Sequence, residues 1–329
     1  MAGPTALVTG GCGFVGRHFV KRLLGKGYTV SVVDDLSVGL APADWPDHLR
    51  PGPDEADRMR FHNEDFRSFV RGSSADFDLI VHCAAVVGGR MTIEGDPLKV
   101  ATDLAIDADL FNWSVKTRPM PRKVIYFSSS AAYPIKLQTS SYNLTLREDL
   151  IAFDDRLAMP DMTYGWSKLT GEYLAEFAAR SYGLDVVSYR PFSGYGEDQD
   201  FSYPFPSILR RVGRKESPIV VWGSGDQKRD FIYIEDIVDA VFASYDKLKP
   251  GEALNLGSGE GTSFRELALL AGKVIGHAAT VVNDPTKPEG VFARVGECSR
   301  LLKWYRPTTP LAEGIRLTHA YQRRNGLLE

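Results

Sequence analysis

Thr5-Ala6-Leu7-Val8-Thr9-Gly10-Gly11-Cys12-Gly13-Phe14-Val15-Gly16 is the stretch whose reading decides the fold of this 329-residue chain. A short apolar run leads into spaced glycines, and a helical pattern follows from Phe14 to Leu24. Glycines at 10, 13 and 16 make a tight turn, let a ligand approach bare backbone, and aim the first helical N–H groups at an anion. Alone, such a turn as readily packs a helix on a sheet. What strengthens the ligand reading is the next strand, Tyr28 to Val33, which ends in Asp34. An acid there accepts hydrogen bonds from ribose hydroxyls and repels a 2′-phosphate. The expectation is NAD rather than NADP, held by Gly10, Gly13, Phe14, Val15, Gly16 and Asp34.

Outward from this unit the alternation repeats. Leu79 to Val81, Val124 to Phe127 and Asp185 to Tyr189 read as strands; Leu98 to Val115 and Ser167 to Tyr182 read as helices. Apolar strands alternating with helices imply an α/β fold, a doubly wound parallel sheet of the Rossmann type, with a smaller C-terminal lobe. The expected division is a nucleotide-binding domain over 1–190, to which 231–257 return, and a substrate-binding lobe from 191–230 and 258–329. Asp65, after a third strand, is a candidate for the adenine amino group, with Phe66 beside it. His82-Cys83-Ala84-Ala85 closes the fourth strand, and the small residues Cys83, Ala84 and Ala85 would let a cofactor cross the sheet edge. His82 reads as a satisfied strand-end histidine, and Asp236 as the cap of the helix after it.

Composition narrows the function. Forty-two acids against 39 bases give a net charge of −3, which argues against a nucleic-acid or anionic-membrane surface. Cys12, Cys83 and Cys298 are far apart and the six histidines lack metal spacing, so neither a disulfide framework nor a metal site is expected. No leader or long apolar segment precedes the first strand, and a cytoplasmic protein is expected.

The chemistry is carried by Tyr164-Gly165-Trp166-Ser167-Lys168. Tyr164 and Lys168 are four residues apart and share a helix face. A free tyrosine has a pKa of about 10. A neighbouring ammonium and a positive nicotinamide favour the phenolate, drawing that value toward working pH. Ser129 or Ser130, past the strand Val124 to Phe127, would hydrogen-bond the same substrate oxygen.

These segments, with Arg190-Pro191-Phe192-Ser193-Gly194-Tyr195-Gly196 and Lys228-Arg229-Asp230-Phe231, resemble the extended short-chain dehydrogenase/reductases that act on nucleotide sugars, over essentially the whole chain. The resemblance implies that Ser129, Tyr164 and Lys168 are catalytic and that Arg190 lies at the cofactor. It implies substrate contacts from Gly88, Gly89, Ser130, Ser193, Arg229 and Arg294, the two arginines clamping a diphosphate. It implies a GDP- or UDP-linked sugar and a homodimer packed through helices near 98–115 and 167–182. Two branches lie nearest, GDP-mannose 3,5-epimerase and GDP-fucose synthase. Their cysteine acid/base is replaced here by Ala131, and Phe201-Ser202 stands where their histidine would be. The Asp-Glu pair of the 4,6-dehydratases is also missing, since Ser130-Ala131 follow Ser129. What remains requires tyrosine, serine, lysine and NAD: epimerisation at C4 through a transient 4-ketone, or C4 dehydrogenation or ketoreduction.

Overall fold

The computed structural model describes residues 3–74, 76–87, 95–142, 144–154 and 157–329. The first half runs β1 (Thr5–Thr9), α1 (Phe14–Gly25), β2 (Thr29–Asp34), β3 (Met59–Asn63), α2 (Phe66–Gly72) and β4 (Leu79–His82). It continues with α3 (Asp103–Lys116), β5 (Val124–Phe127), α4 (Met162–Tyr182) and β6 (Val186–Pro191). Then follow β7 (Ser193–Tyr195), α5 (Pro204–Gly213), β8 (Ile219–Trp222), β9 (Lys228–Tyr233), α6 (Ile234–Ser244) and β10 (Ala253–Leu256). The chain closes with β11 (Gly261–Ser263), α7 (Phe264–Ile275), β12 (Val281–Asp284), β13 (Ala293–Arg294) and α8 (Leu311–Arg324).

Seven strands form one parallel sheet in the order β10-β6-β5-β4-β1-β2-β3. Strand order reverses between β1 and β4, where Thr9 lies opposite His82, so the carboxyl ends of these two strands border the crevice where such sheets take ligands. Alternation along each strand separates two apolar layers. Ala6, Val8, Val30 and Val32 pack with Phe19 and Leu23 of α1 and Ile237 and Val241 of α6. Leu7, Ile80 and Tyr126 pack on the other face with Phe66 of α2, Leu110 of α3 and Ala175 of α4.

Two boundaries differ from expectation and both matter to the site. Helix α4 begins at Met162 rather than Ser167, which brings Tyr164 inside the helix. The return to the large sheet begins at α6 and ends in β10, since Phe231–Tyr233 pair with Ser193–Tyr195 in a small sheet built on β9. The lobe and the first apolar layer are continuous: Phe205, Ile208, Ile219, Leu267 and Ile315 belong to the same cluster as Val8 and Phe19. Among the described residues no helix is long and apolar enough to cross a membrane.

Candidate active site

The glycine turn has the shape its sequence requires. Gly10 has φ +63°, and a Cβ there would lie 2.6 Å from the Ala84 nitrogen. A Cβ on Gly16 would collide with the Gly10 carbonyl. The turn therefore rests directly on the Cys83-Ala84 backbone, tied by the Cys83 N–H to the Thr9 carbonyl at 3.0 Å. Helix α1 starts at Phe14 with no side chain capping it, leaving the N–H groups of Phe14, Val15 and Gly16 free of a side-chain acceptor. Asp34 ends β2 beside the turn; its carboxylate accepts the Cys12 N–H at 2.9 Å and the Leu36 N–H at 2.8 Å. A cradle that any Cβ would fill, an uncapped helix start and an adjacent acid suit a dinucleotide's pyrophosphate and ribose.

Tyr164, Lys168 and Ser129 come together through close backbone packing. Gly165 faces the carbonyl of Ala131, with which a Cβ would collide, and the Asp161 N–H donates to the same carbonyl at 2.9 Å. The start of α4 thus lies flush on the turn Ser130–Ala132. Met162, its first residue, has φ +57°, a left-handed conformation that costs a non-glycine residue on the order of 1 kcal/mol. Ser129 caps the turn by accepting the Ala131 N–H at 3.1 Å, and its hydroxyl lies near enough to the Tyr164 phenol to favour the phenolate. Lys168 is buried, its Nζ 6.0 Å from the Tyr164 ring centroid and 5.3 Å from that of Tyr126.

The electrostatics differ from expectation. Burial pushes the Tyr164 pKa above its ordinary value; Lys168 and Ser129 pull it down, while Asp103 and Asp107 push it up. Proximity of one ammonium therefore does not by itself make a phenolate here. Burial likewise opposes the charge on Lys168, yet Asp107 and Asp103, with Tyr164, more than offset it and hold the ammonium above the usual lysine range. Sequence reasoning missed both acids. The signal was present: they lie on the buried stripe of α3 with Ile106 and Leu110, and acids on an apolar stripe call for an explanation. It also missed Tyr203, just before α5, a phenol whose pKa burial raises and Tyr164 raises further, which puts it within electrostatic reach of that residue.

Other expected residues have partners within the protein. Arg190 lies in a buried cluster, donating to both oxygens of Glu172 at 2.6–3.0 Å, to the Tyr133 hydroxyl at 2.9 Å and to the Glu148 carbonyl at 3.0 Å. It holds β6 to α4. Asp65 caps α2 through the Arg67 N–H at 2.7 Å and pairs with the Arg67 guanidinium at 2.6 Å, and the Phe66 ring packs on His82 and Trp113. Asp236 lies inside α6 rather than before it and accepts from Tyr305, Thr308 and Thr309. His82 is buried between Thr9 (2.8 Å) and Asp107 (3.2 Å), as its sequence position suggested. Tyr195 is core, stacked on Phe205 at 4.0 Å.

In the lobe, strand register sets Arg294 opposite Arg229. Arg294 donates to Gln138 at 2.7 Å and to Asp161 at 2.8 Å, which ties it to the residue preceding α4. Arg229 donates to the carbonyls of Lys228 and Val291. Ser130 is buried in the turn after Ser129, and Ser193 opens β7, opposite Phe231. Gly88 and Gly89 lie outside the described residues. His18, His48 and Asp198 bring potential ligand atoms within 4.8 Å of one another, a grouping the sequence did not suggest. His18, however, already bridges Asp198 (3.1 Å) and Glu235 (2.5 Å), and Arg17 holds the other Asp198 oxygen at 2.7 Å.

The model of the NAD dependent epimerase/dehydratase family matches residues 6–257. The chain is similar to the probable GDP-L-fucose synthase 1 of Oryza sativa subsp. japonica, 26% identical over 334 residues, covering 98% of this chain and 93% of that protein. It is similar to a dTDP-4-dehydro-6-deoxy-D-allose reductase from a Streptomyces species, 29% identical over 311 residues, covering 91% and 90%. Among solved structures it resembles the UDP-glucose 4-epimerase of Thermotoga maritima with UDP-glucose, with TM-score 0.83 and 25% identity over 98% of this chain and 99% of that one. A match running from β1 past β10, on a sheet and a glycine turn of this form, means that the chain belongs to the NAD dependent epimerase/dehydratase family and takes NAD as its cofactor.

Proposed function

We propose that the protein is a nucleotide-sugar 4-epimerase in which Tyr164 is the acid/base. The observation that carries this reading is the close seat of α4 on the Ser130–Ala132 turn, which brings the Tyr164 phenol to Ser129 and above Lys168. In this reading Gly10, Gly13, Phe14, Val15 and Gly16 hold the pyrophosphate, Asp34 the adenosine ribose, and Cys83, Ala84 and Ala85 flank the cofactor. When bound, NAD+ supplies a hydride acceptor and a positive charge that favours the phenolate. Tyr164 would take the proton of the sugar C4 hydroxyl as the C4 hydride passes to bound NAD, and would return a proton to the ketone oxygen as that hydride comes back to the opposite face of C4, while Ser129 donates to that oxygen. Arg229 and Arg294 receive the diphosphate of a GDP- or UDP-linked sugar, and Ser130 and Ser193 face the sugar.

The test is a panel of nucleotide sugars incubated with protein and NAD. Interconversion of C4 epimers without net NADH is the expected result. Steady NADH accumulation with no epimer would instead favour a C4 dehydrogenase or ketoreductase, a second reading supported by the similarity to a ketosugar reductase. We further propose a homodimer through α3 and α4, whose outer faces expose Leu104, Trp166, Tyr173 and Phe177 at 38–43%. Sedimentation as a monomer at micromolar concentration would remove that proposal.

A further inference from the structure

Asp103 and Asp107 lie four residues apart on one face of α3, both buried, and both act on Lys168. Their surroundings differ. Both oxygens of Asp107 accept hydrogen bonds, one from His82 at 3.2 Å and one from the Tyr126 hydroxyl at 2.5 Å. Gly171 of α4 makes room for that contact, since a Cβ would collide with the Tyr126 hydroxyl. Among the described residues Asp103 has a single donor, the Val86 N–H at 2.5 Å, and its Oδ2 has no hydrogen-bond partner. A buried carboxylate with one bare oxygen is the costlier of the two to keep charged.

We propose that Asp103 is a positioning residue for the reaction: its carboxylate competes with the Tyr164 phenolate for the Lys168 ammonium, so the proton shed by Tyr164 and the proton held by Asp103 are coupled. The charge count explains why. Lys168 brings one positive charge; Asp103 and Asp107 bring up to two negative charges, and a Tyr164 phenolate would add a third. Around Tyr164 the groups that bear on its charge are Lys168 from its own helix, Asp103 and Asp107 from α3, the Ser129 hydroxyl, and Tyr203 of the lobe. Cys83 and His82 of β4 and its end face Lys168. Burial holds the Asp103 carboxyl up at about 6, with Lys168 and the Val86 N–H opposing and Asp107 adding to the rise. Asp103 therefore changes charge in the range where a dehydrogenase-type tyrosine works.

This inference rests on Tyr164 as the acid/base, and its test separates the two. Tyrosine isotope-labelled at Cζ, with the Tyr164 resonance assigned by Tyr164→Phe, is followed by NMR against pH in the NAD-loaded protein. Asp103→Asn keeps an acceptor for Val86 and removes the charge. The expected result is a Tyr164 titration moved down by about one pH unit, the size of one screened charge interaction across a buried site. The acid limb of turnover should move with it while KM for NAD stays within a factor of two. An unmoved Tyr164 titration overturns the inference. In the unsubstituted protein, labelled aspartate must show an Asp103 carboxyl titration that shifts on Tyr164→Phe, a measurement that does not depend on Asp103→Asn folding; independence of the two also overturns it. Full turnover in Tyr164→Phe would instead sink the acid/base reading itself.

Discussion

Lys168 and Glu172 stand one turn apart on α4, yet the ion clusters around them are built to different standards. Glu172 meets Arg190 through both carboxylate oxygens and also receives the Ser128 hydroxyl, while Arg190 reaches Tyr133 and Glu148, so each charge is enclosed by partners. Among the described residues, two acids stand around the one cation Lys168, and one oxygen of Asp103 has no hydrogen-bond partner. Such a satisfied cluster rigidifies, because moving any member strands another in low dielectric. In the unsatisfied one the pKa values of Asp103, Tyr164 and Lys168 are all raised, so its charges compete and its protonation is coupled. One helix thus carries a structural cluster and the proposed reactive one, distinguished by the completeness of their hydrogen bonds rather than by residue type.

The comparison predicts that the same kind of substitution has different consequences at the two clusters. Arg190→Ala should cost about 3–5 kcal/mol of stability by leaving Glu172 buried and unpaired; a thermal midpoint unchanged from the parent would erase the distinction. Tyr164→Phe, in the other cluster, should leave the midpoint alone and lower turnover about 10²–10⁴-fold, read in the epimer assay. Gly165→Ala should affect both properties, since the added methyl meets the Ala131 carbonyl: about 1–3 kcal/mol in stability, with turnover falling as Tyr164 moves off Ser129.

Two smaller effects sharpen the contrast through pH. The Asp103 carboxyl sits at about 6 in the folded chain against 3.8 as its ordinary value. The folded state therefore binds the extra proton, and stability from this group is lost as pH rises from about 4 through about 6. Asp103→Asn should accordingly be more stable than the parent above pH 6, by on the order of 1–3 kcal/mol in denaturant melts, the reverse of Arg190→Ala. His18, at the junction of α1 with the lobe, is raised from 6.5 to about 9: burial opposes the charge, but Asp198 and Glu235 outweigh it. Its contribution is full below about 6.5 and lost as pH rises through about 9. His18→Gln should remove that alkaline loss, and a parent melting profile flat from pH 7 to pH 10 would contradict the ion bridge.

Much of the site was legible because its signals are local. The strand, the glycines and α1 are consecutive, and Gly10 and Gly16 prove obligatory for reasons a spacing argument already contains. Tyr164 and Lys168 needed only a helix. The partner of Arg190 was not legible, because Glu172 stands 18 residues earlier and on another element. The Arg67 N–H that Asp65 caps lies two residues on, a local role that the strand-end position did not reveal.

What the chain order alone determined is the parallel sheet, the dinucleotide turn and the pairing of a phenol with an ammonium, all consequences of periodicities within about twenty residues. Only the tertiary structure decided how acidic that phenol is. Asp103 and Asp107 arrive from a helix about sixty residues away, and burial by the packed elements outweighs the one charge that the sequence had placed beside Tyr164. Local order sets which groups face one another along a helix, whereas desolvation and long-range charge depend on everything folded around them.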